Sequence, residues 1–452
     1  MPEILLVYPF FRRRLDRSPF RFPPLGIGYI ASCLKQRKFK VGILDGTFRN
    51  RREIIREIKD SRPEIVGIYS MYSMEKDSVD LARKVRGTVN LLVAGGPLPT
   101  VNPSIFLNDF DIVVLGEAEN TMLDIAEKFA NRGDYRNVER IAYKDKDSSE
   151  VHYTPRRSYI EDLNSIPFPA RELFDNDAYK RYYRKHFGYT ITSIISSRGC
   201  PFNCDFCSKP IFGDRFKSRS PKNIVDEMES IFDLGYDSIW FADDCFTISR
   251  DRVMEICDEV MRRGLEVKWQ CLSRADALDQ ETAQKMNEAG CERIYFGLES
   301  GDNRILRTIM RKGIDVEAAR KTVHNAKSAG IETGAFFILG YPGENDETIL
   351  NTIRYATSLP LNYLSFTLPY PIPGTGLHEK VKHVLREQYK RRITLIDHSL
   401  LFRSEFSEFK LKFGIVKAMT QFQIRRSLGE RGYKIFGKPF EKATDTIFRK
   451  MR

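Results

Sequence analysis

The sequence predicts an α/β protein in three parts: a doubly wound parallel-sheet domain, a partial barrel of six βα units, and a small helical C-terminal domain. Three observations predict it. The composition is globular, with 452 residues, 42% hydrophobic and 30% charged, enough for two or three hydrophobic cores and too apolar for a disordered chain. Two separate stretches alternate short β-branched runs with helix-period segments. The charge is uneven: residues 378–452 hold 19 Lys and Arg against 8 Asp and Glu, so nearly all of the net +12 sits there.

In residues 1–145 the candidate strands are Ile4 to Tyr8, Val41 to Leu44, Ile65 to Tyr69, Leu91 to Ala94 and Asp111 to Leu115. Turn residues follow several of them: Asp45-Gly46, Gly95-Gly96-Pro97 and Gly116-Glu117. Ligands of such sheets lie beyond the carboxyl ends of the strands, which makes these loops the expected binding edge. Residues 146–190 read as a linker, punctuated by Pro155, Pro167 and Pro169. From 191 to 375, strands are expected at Ser193 to Ser197, Ser238 to Phe241, Val267 to Cys271, Arg293 to Gly297, Thr333 to Leu339 and Tyr363 to Thr367, short of the eight of a closed barrel. Residues 376–452 are helical, basic and rich in Phe and Tyr. Their charge points to an acidic partner: a protein surface, a nucleic acid or anionic lipid headgroups.

No apolar run has the roughly 18 to 20 residues of a membrane-spanning helix, and Met1-Pro2-Glu3 runs directly into Ile4-Leu5-Leu6-Val7 with no basic-then-apolar leader. The expected location is cytoplasmic. Eight cysteines are too sparse for a disulfide scaffold, and Cys200, Cys204 and Cys207 crowd together as metal ligands do.

The segment Ser197-Arg198-Gly199-Cys200-Pro201-Phe202-Asn203-Cys204-Asp205-Phe206-Cys207 carries the chemistry. Three thiolates on one loop can wrap a four-iron cluster and leave one iron open to a ligand with N and O donors. Tetrahedral zinc is the competing metal, but neither a His at a zinc-finger interval nor a fourth nearby Cys completes that shell. A redox dithiol is the third reading. Cys245, Cys257, Cys271 and Cys291 have irregular spacing and apolar neighbours, which suits buried thiols rather than a second cluster.

Cysteines three and then two residues apart, with Phe206 before the last, resemble the radical S-adenosylmethionine (SAM) superfamily. The resemblance implies a [4Fe-4S] cluster on Cys200, Cys204 and Cys207 and SAM on its open iron, with Phe206 near the adenine. Reductive cleavage then gives a 5′-deoxyadenosyl radical. Further SAM contacts implied by the resemblance are Asp243 and Asp244 in Phe241-Ala242-Asp243-Asp244-Cys245-Phe246, Ser273-Arg274, Glu299-Ser300, and Ile338 and Gly340 before Tyr341-Pro342-Gly343-Glu344.

The first domain is similar to the cobalamin-binding module joined to one branch of that superfamily, a Rossmann-like domain. The similarity rests on Pro24-Leu25-Gly26 with Tyr29-Ile30-Ala31, on Asp45-Gly46-Thr47, on Gly95-Gly96-Pro97-Leu98-Pro99-Thr100, and on Gly116-Glu117-Ala118-Glu119-Asn120-Thr121. Bare backbone at these glycines lets a flat macrocycle or its nucleotide tail approach the sheet edge; the alternative is a generic doubly wound domain whose glycines serve turns. The histidines are His152, His186, His324, His378, His383 and His398, so this domain offers cobalt no imidazole. Ser70-Met71-Tyr72-Ser73-Met74 follows the third strand; Ser70 is a candidate contact and Tyr72 the candidate facing cobalt, with packing as its other reading.

These resemblances, which span residues 1 to 375, imply a cobalamin-dependent radical SAM C-methyltransferase. One SAM methylates cobalt, a second gives the radical that takes a substrate hydrogen, and the carbon radical captures the methyl group. The expected substrate is an unactivated sp3 carbon of a protein or peptide, glutamine in methyl-coenzyme M reductase among the possibilities, with a flavodoxin or ferredoxin as reductant. A lipid or small-molecule acceptor is the alternative, as is a cobalamin radical SAM cyclase that does not methylate. A tRNA methylthiotransferase needs three N-terminal cysteines where this chain has only Cys33, and a non-catalytic cobalamin sensor has no use for the cysteine triplet.

Overall fold

A computed structural model describes residues 3–11, 20–145, 150–390 and 399–451; Met1, Pro2 and His398 lie outside the described residues. They form two compact units: Met1–Cys200 with Lys209–Asn223 and Ser230–Asp237, and Pro201–Ser208 with Ile224–Glu229 and Ser238–Arg452.

The first unit is built on strands β1 (Ile4–Tyr8), β2 (Val41–Asp45), β3 (Ile65–Tyr69), β4 (Leu91–Gly95), β5 (Ile112–Val114), β6 (Ile141–Lys144) and β7 (Val151–Tyr153). They lie in the order β2-β1-β3-β4-β5-β6-β7. The first five are parallel, and β6 and β7 add an antiparallel edge. Side chains alternate across a strand, so the sheet serves two cores. Leu5, Val7, Val66, Ile68, Leu92, Ala94 and Val113 face one, and Ile4, Leu6, Ile65, Leu91, Val93, Ile112 and Val114 the other. Burial on both faces explains why these strands read as unbroken apolar runs. Helices Leu25–Gln36, Arg51–Ser61, Glu75–Val85 and Glu119–Ala130 follow β1, β2, β3 and β5. The Arg51–Ser61 helix opens on a capping box, in which the Asn50 side chain accepts from Glu53 N–H and the Glu53 carboxylate accepts from Asn50 N–H.

Two features were not anticipated. Strand β6 is short and β7 is half exposed, with the large aromatic Tyr153 facing solvent, so neither leaves a clear apolar alternation. The segment read as a linker also holds β7 and a helix, Asn176–Phe187, capped by Asp175 and ended by Gly188 at φ +81°. Its Tyr179 and Tyr183 are buried, an aromatic pattern hidden among charged residues. Strand β8 (Ile191–Ile194) and the short antiparallel pair β9 (Ser197–Arg198) and β10 (Lys217–Ser218) complete this unit's strands.

The second unit holds β11 (Ser238–Phe241), β12 (Trp269–Arg274), β13 (Cys291–Glu299), β14 (Glu332–Ile338) and β15 (Tyr363–Thr367). They pair in parallel and in chain order. Helices Arg250–Arg262, Gln280–Glu288, Val316–Ser328 and Asp346–Ser358 cross between them. With β8, these are the six strands of the partial (β/α)6 barrel. Strand β13 ends on Glu299, a non-glycine residue in the left-handed region at φ +64°. Helices Glu408–Gly432 and Lys438–Lys450 follow the barrel strands. No helix among the described residues is long and apolar enough to cross a membrane.

Candidate functional site

In the first unit, the carboxyl ends of the parallel strands open on a half-open cavity of about 290 Å3, close to the lower end of the range for ligand sites. Gly26, Gly67, Gly95, Gly96 and Gly116 line it together with Tyr69, Glu117, Glu119, Arg198, Ile211 and Phe212. A Cβ on Gly26 or Gly95 would meet nothing within 4 Å, so both present bare backbone to open space. Gly96 is required for another reason: its φ is +109° and a Cβ there would lie 2.6 Å from the Ser70 carbonyl oxygen and 3.0 Å from the Tyr69 ring. Thr100 ties two of these loops together, its hydroxyl donating to Gly96 O (2.8 Å) and accepting from Gly116 N–H (3.0 Å).

One charged cluster stands at the wall of this apolar cavity. Buried Arg198 donates to Glu117 at 2.9 Å and to Glu119 at 2.5 Å, and its guanidinium lies over the rings of Phe212 and Tyr29. Burial works against the charge, but the two carboxylates outweigh it and hold Arg198 above its ordinary pKa. The second oxygen of Glu117 accepts from Ile160 N–H. Two residues after Arg198 comes Cys200, whose N–H donates to Gly213 O and whose carbonyl accepts from Lys209 Nζ at 2.8 Å. The cysteine loop therefore starts from the cavity wall.

Not every anticipated cavity residue lines it. Gly26, Gly95, Gly96, Pro97, Gly116 and Glu117 do; Pro24, Leu25, Asp45, Thr47, Ser70 and Tyr72 are not among the lining residues. Asp45 is held in the loop after β2, accepting from Thr47 N–H (2.9 Å), Thr47 Oγ1 (2.6 Å) and Tyr179 OH (2.5 Å). Ser70 is buried and accepts from Ser78 Oγ at 2.9 Å. Tyr72 packs against the core that contains Leu81 and Val85, whereas Tyr69, at the end of β3, is the tyrosine on the cavity lining. Burial lifts the Tyr69 phenol to about 12, so it stays protonated.

The second unit holds Cys204 and Cys207, joined by a turn in which Cys207 N–H donates to Cys204 O at 3.1 Å. The residues around them are tied to the ends of the barrel strands. Arg274, at the end of β12, lies 3.5 Å from the Phe202 ring centroid and is itself held by Asp276 at 2.8 Å and by Lys312 O at 2.9 Å. Glu299, at the end of β13, accepts from buried Lys312 at 3.0 Å, and this ammonium lies 5.6 Å from the Phe206 ring centroid. Burial opposes the Lys312 charge, yet Glu299 and then Cys204 hold its pKa above the ordinary value. Tyr341, beyond β14, meets Phe206 edge-on and donates to Asp205 at 2.6 Å. Lys380 donates to the same Asp205 oxygen at 2.7 Å.

The remaining anticipated residues are placed as follows. Asp243 is buried, 3.4 Å from Arg252, while Asp244 is exposed. Buried Ser273 and Thr247 share a 2.6 Å hydrogen bond, and buried Ser300 meets Thr352 Oγ1 at 3.1 Å. Ile338 is buried, and Gly340 has φ +86° and donates to Glu344 Oε2 at 2.8 Å, as does Tyr341 N–H. Burial lifts the Glu344 carboxyl to about 8 against the pull of those two donors.

Sequence reasoning missed Arg198, Glu119, Asp205 and Tyr341 as site residues although each stands inside a quoted motif. Lys312, Lys380 and Tyr69 stand in no motif and left no signal.

The thiols separate by exposure. Cys245, Cys257, Cys271 and Cys291 are buried, and burial raises Cys257 to about 12 and lifts Cys271 well above the ordinary thiol value. Cys33 is raised to about 12 as well, by burial first and by Glu119 second. Cys200 and Cys204 are partly exposed and Cys207 is exposed. The loop therefore offers the accessible thiols, within reach of an incoming metal, while the other thiols are buried or burdened by burial. Among the described residues no three His, Cys, Asp or Glu side chains converge as ligands of a single ion do, whereas the thiolates of a cubane each reach their own iron. The thiol-only donor set fits a cluster, and the glycine-backed apolar cavity fits a flat or slender organic group such as a corrinoid.

Comparison with known proteins agrees with this division. Residues 14–126 match the B12 binding domain family and residues 194–356 the Radical SAM superfamily. The chain is 32% identical over 436 residues to an uncharacterized methyltransferase of Pyrococcus horikoshii, covering 94% of this chain and 93% of the relative. It is 27% identical to an anaerobic magnesium-protoporphyrin IX monomethyl ester cyclase of Cereibacter sphaeroides, covering 94% of this chain and 71% of that one. Among solved structures, the radical SAM methyltransferase TsrM from Kitasatospora setae, with cobalamin and a [4Fe-4S] cluster bound, shares the fold. It superposes with a TM-score of 0.72 at 20% identity, over 85% of this chain and 75% of that one.

Proposed function

The chain belongs to the radical SAM superfamily, in the branch that joins a B12-binding domain to the radical SAM domain, and from this premise we propose that it methylates an unactivated carbon. It is an enzyme of the radical SAM methyltransferase kind, with a [4Fe-4S] cluster, SAM and cobalamin as its cofactors. The observation that carries the proposal is the run of chain from Arg198 to Phe212: Arg198, Ile211 and Phe212 line the glycine-backed cavity and flank the three cysteines in sequence. Radical generation and methyl supply then draw on one continuous stretch of chain.

When bound, the cluster supplies the electron that cleaves SAM, and cobalamin supplies a carrier for the methyl group. Cys200, Cys204 and Cys207 hold the cluster. Gly26, Gly95, Gly96 and Gly116 would admit cobalamin to the sheet edge, where Tyr69 would present a protonated phenol. Arg198 keeps the apolar wall in place without adding net positive charge, since Glu117 and Glu119 neutralise it. In the barrel, Phe206, Asp243, Ser273, Arg274, Glu299, Ser300, Ile338 and Gly340 are the SAM contacts, with Lys312 orienting Glu299. The peptide acceptor anticipated from the basic tail, and the glutamine anticipated from the resemblance in domain plan, are members of a wider class, any molecule with an unactivated C–H carbon. A flavodoxin or ferredoxin fits the need for a one-electron donor.

The similarity to the magnesium-protoporphyrin ester cyclase favours one second reading, oxidative ring formation without methyl transfer. Anaerobic reconstitution with iron, sulfide and hydroxocobalamin, followed by mass spectrometry, separates the two. Methylation yields 5′-deoxyadenosine and S-adenosylhomocysteine together over many turnovers, whereas Cys204→Ser loses 5′-deoxyadenosine and stops S-adenosylhomocysteine at one equivalent of cobalt; 5′-deoxyadenosine alone supports the cyclase.

A further inference from the structure

The helices Glu408–Gly432 and Lys438–Lys450 are joined by the π-helical turn Tyr433–Gly437, and the chain bends just before it at Gly429, whose φ of +64° and ψ of −175° interrupt the first helix. Leu428, Ile435 and Phe436 stand out from this bend, exposed by 50%, 64% and 62%. The Leu428 side chain lies against Gly432, where a Cβ would be 2.3 Å from Leu428 Cβ, one turn from Ile435 and Phe436. Burying these three side chains would be favourable by roughly 1.5–3 kcal/mol each, and together they form an apolar crest that an external occupant can cover.

The surrounding charge says which one. Arg431, Lys434 and Lys438 are exposed, and no carboxylate pairs with them among the described residues. The nearby acids are already engaged: Glu430 pairs with Arg425 at 3.2 Å, and Glu441 pairs with Arg354 at 3.2 Å while accepting from Tyr433 OH. The tip is thus apolar at its crest and cationic around it. Two copies face to face would set cations against cations, and a nucleic acid has no use for Leu428 and Ile435. An anionic lipid surface accepts both parts at once: side chains enter the headgroup boundary while Lys and Arg heads meet phosphate.

We propose that this tip is a membrane-surface anchor for anionic lipid. Leu428, Ile435 and Phe436 insert, and Arg431, Lys434 and Lys438 pair with lipid phosphates. The anchor is peripheral and reversible, because one apolar tip with a few cations lies far below the insertion strength of a spanning helix. It is independent of the methyl-transfer reading, since binding is a property of the chain with or without its cofactors.

The test is co-sedimentation of the full-length protein with vesicles of phosphatidylcholine alone and of phosphatidylcholine mixed with phosphatidylglycerol. Binding is expected to the anionic vesicles and to weaken with added salt. Lys434→Ala with Lys438→Ala should lower the partition coefficient by roughly 25-fold, about fivefold per cation. Ile435→Ser with Phe436→Ser should lower it by on the order of 100-fold. Both double variants change exposed positions, and an unchanged thermal transition confirms that each is folded. The proposal is overturned by equal binding to neutral vesicles, by no binding to either, or by undiminished binding of either double variant. A concentration-dependent dimer in light scattering that dissolves in Ile435→Ser with Phe436→Ser also overturns it, making the tip a protein interface.

Discussion

Tyr341 donates a 2.6 Å hydrogen bond to Asp205, a residue set between Cys204 and Phe206 in the cysteine loop. The loop also donates and accepts through its backbone at Asp205, whose N–H bonds Met310 O and whose carbonyl accepts from Leu377 N–H. One residue, through its side chain and its own N–H and C=O, thereby fixes the loop to three distant parts of the second unit.

Asp205→Ala removes the acceptor for Tyr341 and Lys380 and leaves a buried phenol unpaired. Groups that orient metal ligands are worth about 10- to 100-fold in metal affinity. The variant should release iron to a chelator at least tenfold faster than the parent, with Tyr341→Phe in between because Lys380 remains. Equal release rates for all three proteins would remove Asp205 from any positioning role.

Glu119→Ala leaves buried Arg198 with one carboxylate in place of two. Breaking a buried ion pair from one side costs about 3–5 kcal/mol, and Glu117 remains, so a loss of roughly 3 kcal/mol is expected in urea unfolding. Cobalamin affinity should weaken in the same variant, because Arg198, held by Glu117 alone, no longer fixes the cavity wall. A change below about 0.5 kcal/mol, the range of ordinary surface substitutions, contradicts the arrangement.

Tyr69 and Tyr72 make different predictions for cobalt. In Tyr69→His an imidazole replaces the cavity-lining phenol, and the Co(II) electron paramagnetic resonance spectrum should gain nitrogen splitting. Tyr72→His, altered on the side packed against the core, should not. Splitting seen with Tyr72→His alone would reverse the assignment.

Glu344 couples stability to pH. Burial lifts its carboxyl to about 8 in the native protein, while an unfolded chain releases that proton at about 4.3. Between these values the unfolded state binds fewer protons, so native stability falls as pH rises, by up to about 1.4 kcal/mol per pH unit. Glu344→Gln keeps an acceptor oxygen for Gly340 and Tyr341 N–H but does not titrate. Relative to the parent, it should be more stable at pH 8 than at pH 5 in urea unfolding; a difference that does not vary with pH would show that Glu344 is ionised in the native state.

The parallel strands were legible because burial on both faces leaves runs such as Leu91-Leu92-Val93-Ala94, which no amphipathic surface element imitates. The cysteine loop was legible because cluster chemistry constrains spacing along the chain. Tyr69 was not, although the end of its strand was, because choosing it over Tyr72 depends on which side chain at the sheet edge turns to the cavity and which packs on the core. Lys312 was not legible for a related reason: it reaches Glu299 from a loop 13 positions on, and contacts between loops obey no period. Strand β6 and the edge strand β7 were missed because both are short and are stabilised by antiparallel pairing with their neighbours more than by their own apolar content.

Gly376 has one further implication. A Cβ at this position would lie 2.1 Å from Asp205 Oδ1, so glycine here and aspartate there are matched pieces of a lock. Grafting the C-terminal region of another protein onto this barrel would preserve the cysteine loop only if the graft carried that bare position with it. Domain shuffling at this junction should therefore succeed or fail on a single residue far upstream of the helices being exchanged.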